Sequence, residues 1–316
     1  MIDSIIAEIE ANSTFLVTTH EGPDGDAVGS SLALGNYLRR LGKDVTVYFK
    51  DTVPDLYAFL PLADSVVHAI PDRAFDVCFV LDVGEFRRAG DELVNFSQAG
   101  KFINIDHHLL CDRFGAINLV DAEAAATGIL IHRIIKGAGH ELDYDTALCI
   151  YIAVITDTGS FRYSNANQEA FMVAGEMVAA GVDAWFVAER LYESQPRKRL
   201  ELLALALATL TVSPRGNVAS VTVLLEMYEK TGTNAELTDG FVNYPRSIRG
   251  VEVAVFFREI KPGFFKVGFR SKGKVNVSAL AAEFGGGGHH NAAGCNITGH
   301  LEEVRQQVFS HLAKVM

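Results

Sequence analysis

The chain has 316 residues, 49% of them hydrophobic and 21% charged, and a formal net charge of -11. It is too long for one ordinary core and apolar enough to build real ones, so a soluble protein of two domains is expected. So acidic a chain repels a long polyanion, which excludes a general nucleic-acid binder and leaves a small anionic ligand met by local basic residues or metals.

The four cysteines, Cys78, Cys111, Cys149 and Cys295, form no CxxC pair, and three of them sit in apolar runs. A disulfide framework or thiolate zinc site is not expected, and a reducing, cytoplasmic setting is the simpler reading. The opening MIDSIIAEIEANS carries acids and lacks the basic-then-apolar order of a signal peptide. The longest apolar stretch, Leu202–Val212, is too short for the ~20 residues of a membrane span.

In chain order, Ile2, Ile5, Ile6 and Ile9 recur at helical spacing. Phe15–Thr19 reads as a buried strand, Ala27–Leu41 as a helix closed by Gly42, and Val45–Phe49 as a second strand. Asp76–Leu81 and Phe102–Ile105 are the third and fourth strands, with helical patterns at 86–98 and 124–136. Ala147–Ile155 and Glu169–Ala180 read as helices. Short apolar strands alternating with helices predict an α/β fold with a mostly parallel sheet flanked by helices. The composition changes at Tyr192–Arg199 (YESQPRKR), which leads into a helix at 197–210. Strands are expected at Val218–Leu224, Val251–Arg258 and Phe264–Phe269, and helices at Val277–Phe284 and Leu301–Val315. The predicted domains are 1–192, a linker and helix at 193–210, and a smaller α+β domain at 211–316.

Open α/β sheets bind ligands at the carboxyl ends of their strands. The first strand runs into His20-Glu-Gly-Pro-Asp24-Gly-Asp26, the third ends on Asp82, and the fourth on Asp106-His107-His108. The Ala147–Ile155 helix runs into Asp157-Thr-Gly. Each residue has a structural reading: Asp24, Asp26 or Asp82 as a helix cap, His107 as a satisfied core histidine, Asp157 as a turn residue. Their joint occurrence at corresponding ends is what points to a metal site, with all groups converging if the three strands are neighbours. The set His20, Asp24, Asp26, Asp82, His107 and Asp157 contains no sulfur. Carboxylate with imidazole suits manganese, and magnesium less well, while zinc stays open. Four aspartates balance two divalent cations, and one bridging carboxylate gives the ~3.5–4 Å metal separation used for in-line attack on phosphorus. EF-hand, Walker and serine-elbow readings fail: Val28 and Gly35 occupy EF-hand acid positions, and GxxxxGK[ST] and GxSxG are absent.

A second cluster, Gly285-Gly-Gly-Gly-His289-His290-Asn-Ala-Ala-Gly294, offers backbone N–H groups to an anion, although a glycine run alone reads as a turn. Between Tyr244 and Lys274 lie eight Lys or Arg (Arg246, Arg249, Arg258, Lys261, Lys266, Arg270, Lys272, Lys274) against Glu252 and Glu259. A locally basic strip is therefore expected beside the glycine run, suited to a phosphate-bearing ligand.

These motifs in this order (HxxxDxD, a strand-terminal Asp, DHH, Asp-Thr-Gly and GGGGHxxAAG) resemble the DHH phosphoesterase superfamily with its associated C-terminal domain, over nearly the whole chain. The nearest type resembles the NrnA-like oligoribonucleases that also act as phosphatases of pAp (3'-phosphoadenosine 5'-phosphate). The resemblance implies an active site in the cleft between the two domains. It implies one metal on His20, Asp24 and Asp82 and another on Asp26, Asp82, His107 and Asp157, with Asp82 bridging. It also implies catalytic roles for His108 and Asp106. Substrate binding would fall to Arg88, Arg270, the Gly287–Gly288 backbone and His289, with His290 left unassigned. The implied activity is hydrolysis of short oligoribonucleotides, including linear dinucleotides, or of pAp, by a metal-activated hydroxide with two Mn2+ ions. A cyclic-dinucleotide phosphodiesterase is the alternative, with a pyro- or polyphosphatase or a non-catalytic nucleotide-binding module behind it. Long RNA and membrane are not expected partners, and a homodimer is left open.

Overall fold

The computed structural model describes residues 1–316, apart from the side chain of His289. The chain divides into two compact units, Met1–Glu193 and Ser194–Met316.

In the first unit, α1 (Ile2–Ala11) leads to β1 (Thr14–Thr18), α2 (Gly25–Arg40), β2 (Asp44–Tyr48), β3 (Phe75–Leu81) and α3 (Asp91–Val94). Then come β4 (Ala99–Asp106), β5 (Ile117–Val120), α4 (Thr127–Gly137), α5 (Tyr144–Asp157), α6 (Gln168–Ala179) and α7 (Ala184–Ala188). The five strands form one sheet in the order β2-β1-β3-β4-β5, and every pair is parallel. Both faces are covered, which explains the unbroken apolar runs. Phe15, Val17, Val77, Phe79 and Leu81 enter the main core, while Leu16, Cys78 and Val80 enter a second cluster on the opposite face. The α/β reading of the sequence therefore holds, and β1, β3 and β4 are neighbours. Register pairs Thr18 with Val80 and Leu81 with Ile105, so the three strands end level.

Helices α2, α4 and α5 pack closely because their facing residues are small. A Cβ on Gly29 would lie 2.6 Å from the Cys149 carbonyl, and one on Gly128 would lie 2.5 Å from the Ala153 Cβ. That approach brings Asp26 on α2 and the start of α4 to the last turn of α5, where Asp157 lies.

In the second unit, α8 (Arg197–Ala208), β6 (Thr211–Val212), β7 (Val218–Val223), α9 (Leu225–Thr231) and α10 (Asn243–Ser247) precede the hairpin β8 (Val253–Lys261) and β9 (Phe264–Ser271). The remaining elements are α11 (Val277–Ala282), β10 (Gly287–His289), β11 (Ala292–Thr298) and α12 (Leu301–Val315). The sheet order is β10-β11-β9-β8-β7-β6, antiparallel except for β7–β8. Val253, Val255, Phe257, Val267 and Phe269 form one core with Leu280 and Val308, while Val221, Val223 and Ala254 form another with Leu202 and Ala206. This is the expected smaller α+β domain.

Several boundaries differ from the sequence reading. The helix expected at 86–98 is a 3-10 turn, Phe86–Ala89, and then only four residues of α-helix, because Gly90 between them takes φ 92°. The strand expected at Phe102–Ile105 begins earlier, at Ala99, with Gly100 and Lys101 exposed. Strands β5, β10 and β11 and helix α7 gave no recognised pattern. Among the described residues no single helix is long and apolar enough to cross a membrane; only the pair Gln168–Ala179 and Ala184–Glu193, bent by 114°, passes by length and composition.

Candidate metal centre

Each group in the first unit is placed by its element's end. Asp24 caps α2, accepting from the Asp26 and Ala27 amides at 3.1 Å, so the capping reading of Asp24 holds. Asp26 then lies in the first turn of α2, buried. Asp82 follows β3 with φ 59°, a left-handed conformation that aspartate adopts more readily than most residues. Its amide still donates to the Ile105 carbonyl at 3.0 Å, so the strand ladder holds the bend in place. Asp106 is the last residue of β4, and Asp157 the last of α5. After Asp157 the backbone runs through positive φ at Gly159, Ser160 and Phe161, a strained turn next to the cluster.

The two histidines point the same nitrogen into the cluster. Nδ1 of His20 bonds the Glu21 carbonyl at 2.9 Å, and Nδ1 of His107 bonds the Ala124 carbonyl at 3.1 Å. A carbonyl only accepts, so Nδ1 carries the proton in both rings and Nε2 is the inward nitrogen, the arrangement of a metal-ligating histidine. His20 Nε2 lies 3.7 Å from Asp82 Oδ2. His107 Nε2 lies 3.6 Å from Asp26, 3.5 Å from Asp82 and 3.8 Å from Asp157.

These separations are too long for hydrogen bonds. Ligands held at about 2.1 Å around a common ion would stand about 3 Å apart when adjacent and about 4.2 Å when opposed. The observed spacing falls between those values. Three groups have ligand atoms within 4.8 Å of one another: His20, Asp24 and Asp82; Asp26, His107 and Asp157; and Asp82, His107 and His108. The first two divide the six predicted residues much as the sequence does. The third also brings in His108, which the sequence reading kept apart from the metals.

The electrostatics of the cluster follow from burial and mutual charge. Burial would raise Asp82, but the facing imidazoles of His20, His108 and His107 hold it well below the usual carboxylate range. Burial and the neighbouring Asp82 push Asp26 well up. Burial, reinforced by Asp24 and Asp82, pushes Asp157 up to about 6. Burial alone would lower His107, but Asp157, Asp26 and Asp82 outweigh it and push it up to about 10. The cluster thus draws protons onto Asp26 and His107, because buried carboxylates crowd one another there. A donor set of carboxylate oxygens and inward imidazole Nε2 atoms fits divalent cations, which would replace those protons.

His108 Nδ1 lies 2.6 Å from Asp106 Oδ1, and Asp106 is fully buried. Arg88 is exposed in the 3-10 turn after β3, and its charge bears on His20. Its carbonyl accepts from the Glu21 amide at 2.7 Å, which ties that turn to the loop carrying His20.

In the second unit, strand register places Arg270 opposite Ala292, and Ala292 opposite His289. Positions 270 and 289 therefore share a rung two strands apart, about 10 Å by strand spacing. Gly287 and Gly288 belong to β10 at the sheet edge, not to a turn. The side chain of His289 lies outside the described residues. His290 turns away, with Nε2 3.0 Å from the Gly273 carbonyl. The continuous basic strip expected from the sequence is divided. Arg270 lies at one end of the β8–β9 hairpin and Lys261 at the other, about 23 Å away along the strand. Arg258 is spent inside the fold, donating to Ala235 and Thr238.

Sequence reasoning missed the residues that hold the cluster. The Ser30 hydroxyl donates to Asp26 at 2.7 Å, and the Asn165 amide donates to Asp157 at 3.0 Å. Thr127 and Gly128 reach Asp26 from α4. Ser30 was within reach of pattern analysis, since it lies four residues after Asp26 on one helix. Asn165 follows Asp157 by eight residues of irregular chain, and Thr127 and Gly128 lie about 100 residues from Asp26.

Residues 14–154 match the model of the DHH family, N-terminal domain, and residues 216–315 match the DHHA1 domain. The chain is 33% identical over 310 residues to the bifunctional oligoribonuclease and PAP phosphatase NrnA of Thermus thermophilus, covering 96% of this chain and 91% of the relative. It is similar to the crystal structure of an exopolyphosphatase-related protein from Bacteroides fragilis, with a TM-score of 0.92, 31% identity and coverage of 99% and 95%. RecJ from Thermus thermophilus, in complex with Mn2+, shares the fold at 15% identity and a TM-score of 0.55, with 98% of this chain and 53% of that one covered. With a parallel sheet that gathers buried aspartates and inward-facing histidines at its carboxyl end, and with both family domains in sequence order, this chain belongs to the DHH family of phosphoesterases.

Proposed function

We propose that this protein hydrolyses phosphoester bonds in short oligoribonucleotides, including linear dinucleotides, and in pAp, with two divalent metal ions. The observation that carries the reading is the pair of buried imidazoles whose Nε2 atoms face a ring of carboxylates from β3, α2 and α5. The substrate class rests on the likeness to the oligoribonuclease and PAP phosphatase that matches along nearly the whole chain. Manganese is the preferred ion by donor type, and the related fold of RecJ has been captured with Mn2+.

His20, Asp24 and Asp82 would hold one ion, and Asp26, His107 and Asp157 the other, with Asp82 shared. When bound, the ions supply a water of lowered pKa and positive charge for the phosphoryl oxygens. Asp106 holds the His108 ring through its protonated Nδ1, which leaves Nε2 to meet the substrate phosphate or the leaving oxygen. Arg88, exposed beside His20, adds a cation for a phosphate. Arg270, the Gly287–Gly288 backbone and His289 supply phosphate recognition on the second unit, as their shared rung and sheet edge favour. We assign the protein to the cytoplasm, with free cysteines and small nucleotides as substrates.

Turnover of pApA, pAp, a cyclic dinucleotide and pyrophosphate, each with Mn2+, tests this. The expected result is turnover of pApA or pAp above the other two. Preference for the cyclic dinucleotide would give the alternative phosphodiesterase reading. Binding without turnover of any substrate would leave a nucleotide-binding module instead.

A further inference from the structure

The carboxylates of the metal centre come from separate elements, so something must hold them in mutual register. Thr127, the first residue of α4, contacts two of them. Its amide donates to Asp26 Oδ2 at 2.6 Å, and its hydroxyl donates to Asp82 Oδ1 at 3.0 Å. The next amide, Gly128, donates to Asp26 Oδ1 at 3.1 Å. Thr127 is fully buried.

Asp26 is thereby the cap of α4. The residue at the N-cap position, Ala126, has no side chain able to do this, and the two free amides of the first turn bond the Asp26 carboxylate from outside. Capping uses the backbone of Thr127 and would be satisfied by any residue there except proline. The hydroxyl bond to Asp82 is additional. Threonine in a helix usually returns its hydroxyl to the carbonyl three or four residues earlier, but at the first helical position no such intrahelical carbonyl exists. The hydroxyl is instead donated to the carboxylate of Asp82, a residue with φ 59° that follows β3.

We propose that Thr127 is a positioning residue of the metal centre: one side chain and its own amide fix the Asp82 carboxylate relative to that of Asp26, so that both ions find their shared ligand already oriented. The proposal rests on the two-metal reading above. A hydroxyl donated to one carboxylate oxygen directs the remaining lone pairs toward the cluster and removes a rotational freedom that each ion would otherwise have to freeze.

The test compares T127V, which keeps shape, burial and the backbone amide but lacks the hydroxyl, with T127S, which keeps the hydroxyl and lacks the methyl. Mn2+ binding to chelator-stripped full-length protein is followed by calorimetry, and the magnetic coupling of the ion pair by electron paramagnetic resonance. T127V is expected to weaken Mn2+ binding by about 10- to 100-fold and to lose the coupled-pair signal, and T127S to restore both to near wild type. Wild-type affinity and coupling in T127V would overturn the inference alone. A T127S as weak as T127V would also overturn it, by assigning the effect to methyl packing. If T127V does not fold, T127A repeats the test without added volume. Failure of both to fold while T127S folds would show that the hydroxyl serves the fold itself, and would overturn the positioning role. Wild-type protein that takes up no Mn2+ would overturn the metal reading together with the inference.

Discussion

Nδ1 of His108 lies 2.6 Å from Oδ1 of Asp106, and the same oxygen accepts the His108 amide at 3.1 Å. One buried carboxylate thus fixes both the backbone and the ring of its neighbour two residues on. Burial would raise Asp106, but the His108 hydrogen bond and charge outweigh it and hold the carboxyl below its ordinary value. Asp106→Asn keeps the shape and removes the charge that selects the Nδ1 proton. We expect kcat to fall by about 10- to 100-fold with both metals retained. The check is steady-state kinetics beside metal analysis; unchanged kcat would remove Asp106 from any catalytic role.

Asp82, the proposed shared ligand, groups with His20 and Asp24, lies 3.5 Å from His107 and stands in a left-handed conformation. Alanine there loses the carboxylate and also meets strain of roughly 1–2 kcal/mol, whereas asparagine tolerates the backbone. Both Asp82→Ala and Asp82→Asn should lose more than about 100-fold in activity, and Asp82→Asn should retain the fold. Two bound metals and near wild-type turnover in Asp82→Asn would rule out the shared-ligand assignment.

The carboxylates of Asp157, Asp26 and Asp82 favour the protonated form of His107. Its folded pKa is raised from 6.5 to about 10, so the stability it contributes is full below 6.5 and is lost as pH rises toward 10. Asp157 is raised from 3.8 to about 6, so its contribution falls with rising pH as well, at a lower range. The chelator-treated protein should therefore melt at a lower temperature at pH 9.5 than at pH 6.5, and saturating Mn2+ should flatten that trend. Calorimetry in buffers of different ionisation enthalpy should also show protons released as Mn2+ binds near neutral pH. Absence of proton release would contradict metal binding at this cluster.

Arg270 and His289 belong to the other unit from the metal ligands. Arg270→Ala and His289→Ala should leave metal content unchanged and lower kcat/KM by roughly 10- to 150-fold, the value of a charge-assisted hydrogen bond to phosphate of about 1.5–3 kcal/mol. Elemental analysis of each purified variant is the control. Loss of metal in either would contradict this division of labour.

Substrate length gives a test of the whole electrostatic picture. A net charge of -11 opposes a polyanion outside the site, and Arg270 and Lys261 lie at opposite ends of a hairpin, with Arg258 turned inward. A dinucleotide should be turned over with higher kcat/KM than a single-stranded RNA of about twenty nucleotides. Equal efficiency on the long strand, falling steeply with salt, would reveal an extended binding track.

The sequence by itself determined the fold class and the motifs that place this chain in the DHH family. Apolar runs of strand length that end in Asp or His are local signals, and His20, Asp24, Asp26, Asp82, His107 and Asp157 were legible because each ends or begins a recognisable element. The parallel sheet followed from alternation of such runs with helices. What only the tertiary structure decided is how the cluster is held. Strand order made β1, β3 and β4 neighbours. Thr127 lies 101 residues from Asp26, and no periodicity links them; they meet because Gly29 and Gly128 let α2 and α4 both approach α5. The division of the basic strip was equally hidden, since a hairpin sends Arg270 and Lys261 to opposite ends and Arg258 turns inward. Local patterning records which face of an element is apolar and where the element stops. The hydrogen bonds that orient a buried carboxylate join segments distant in sequence, and they exist only once the core has packed.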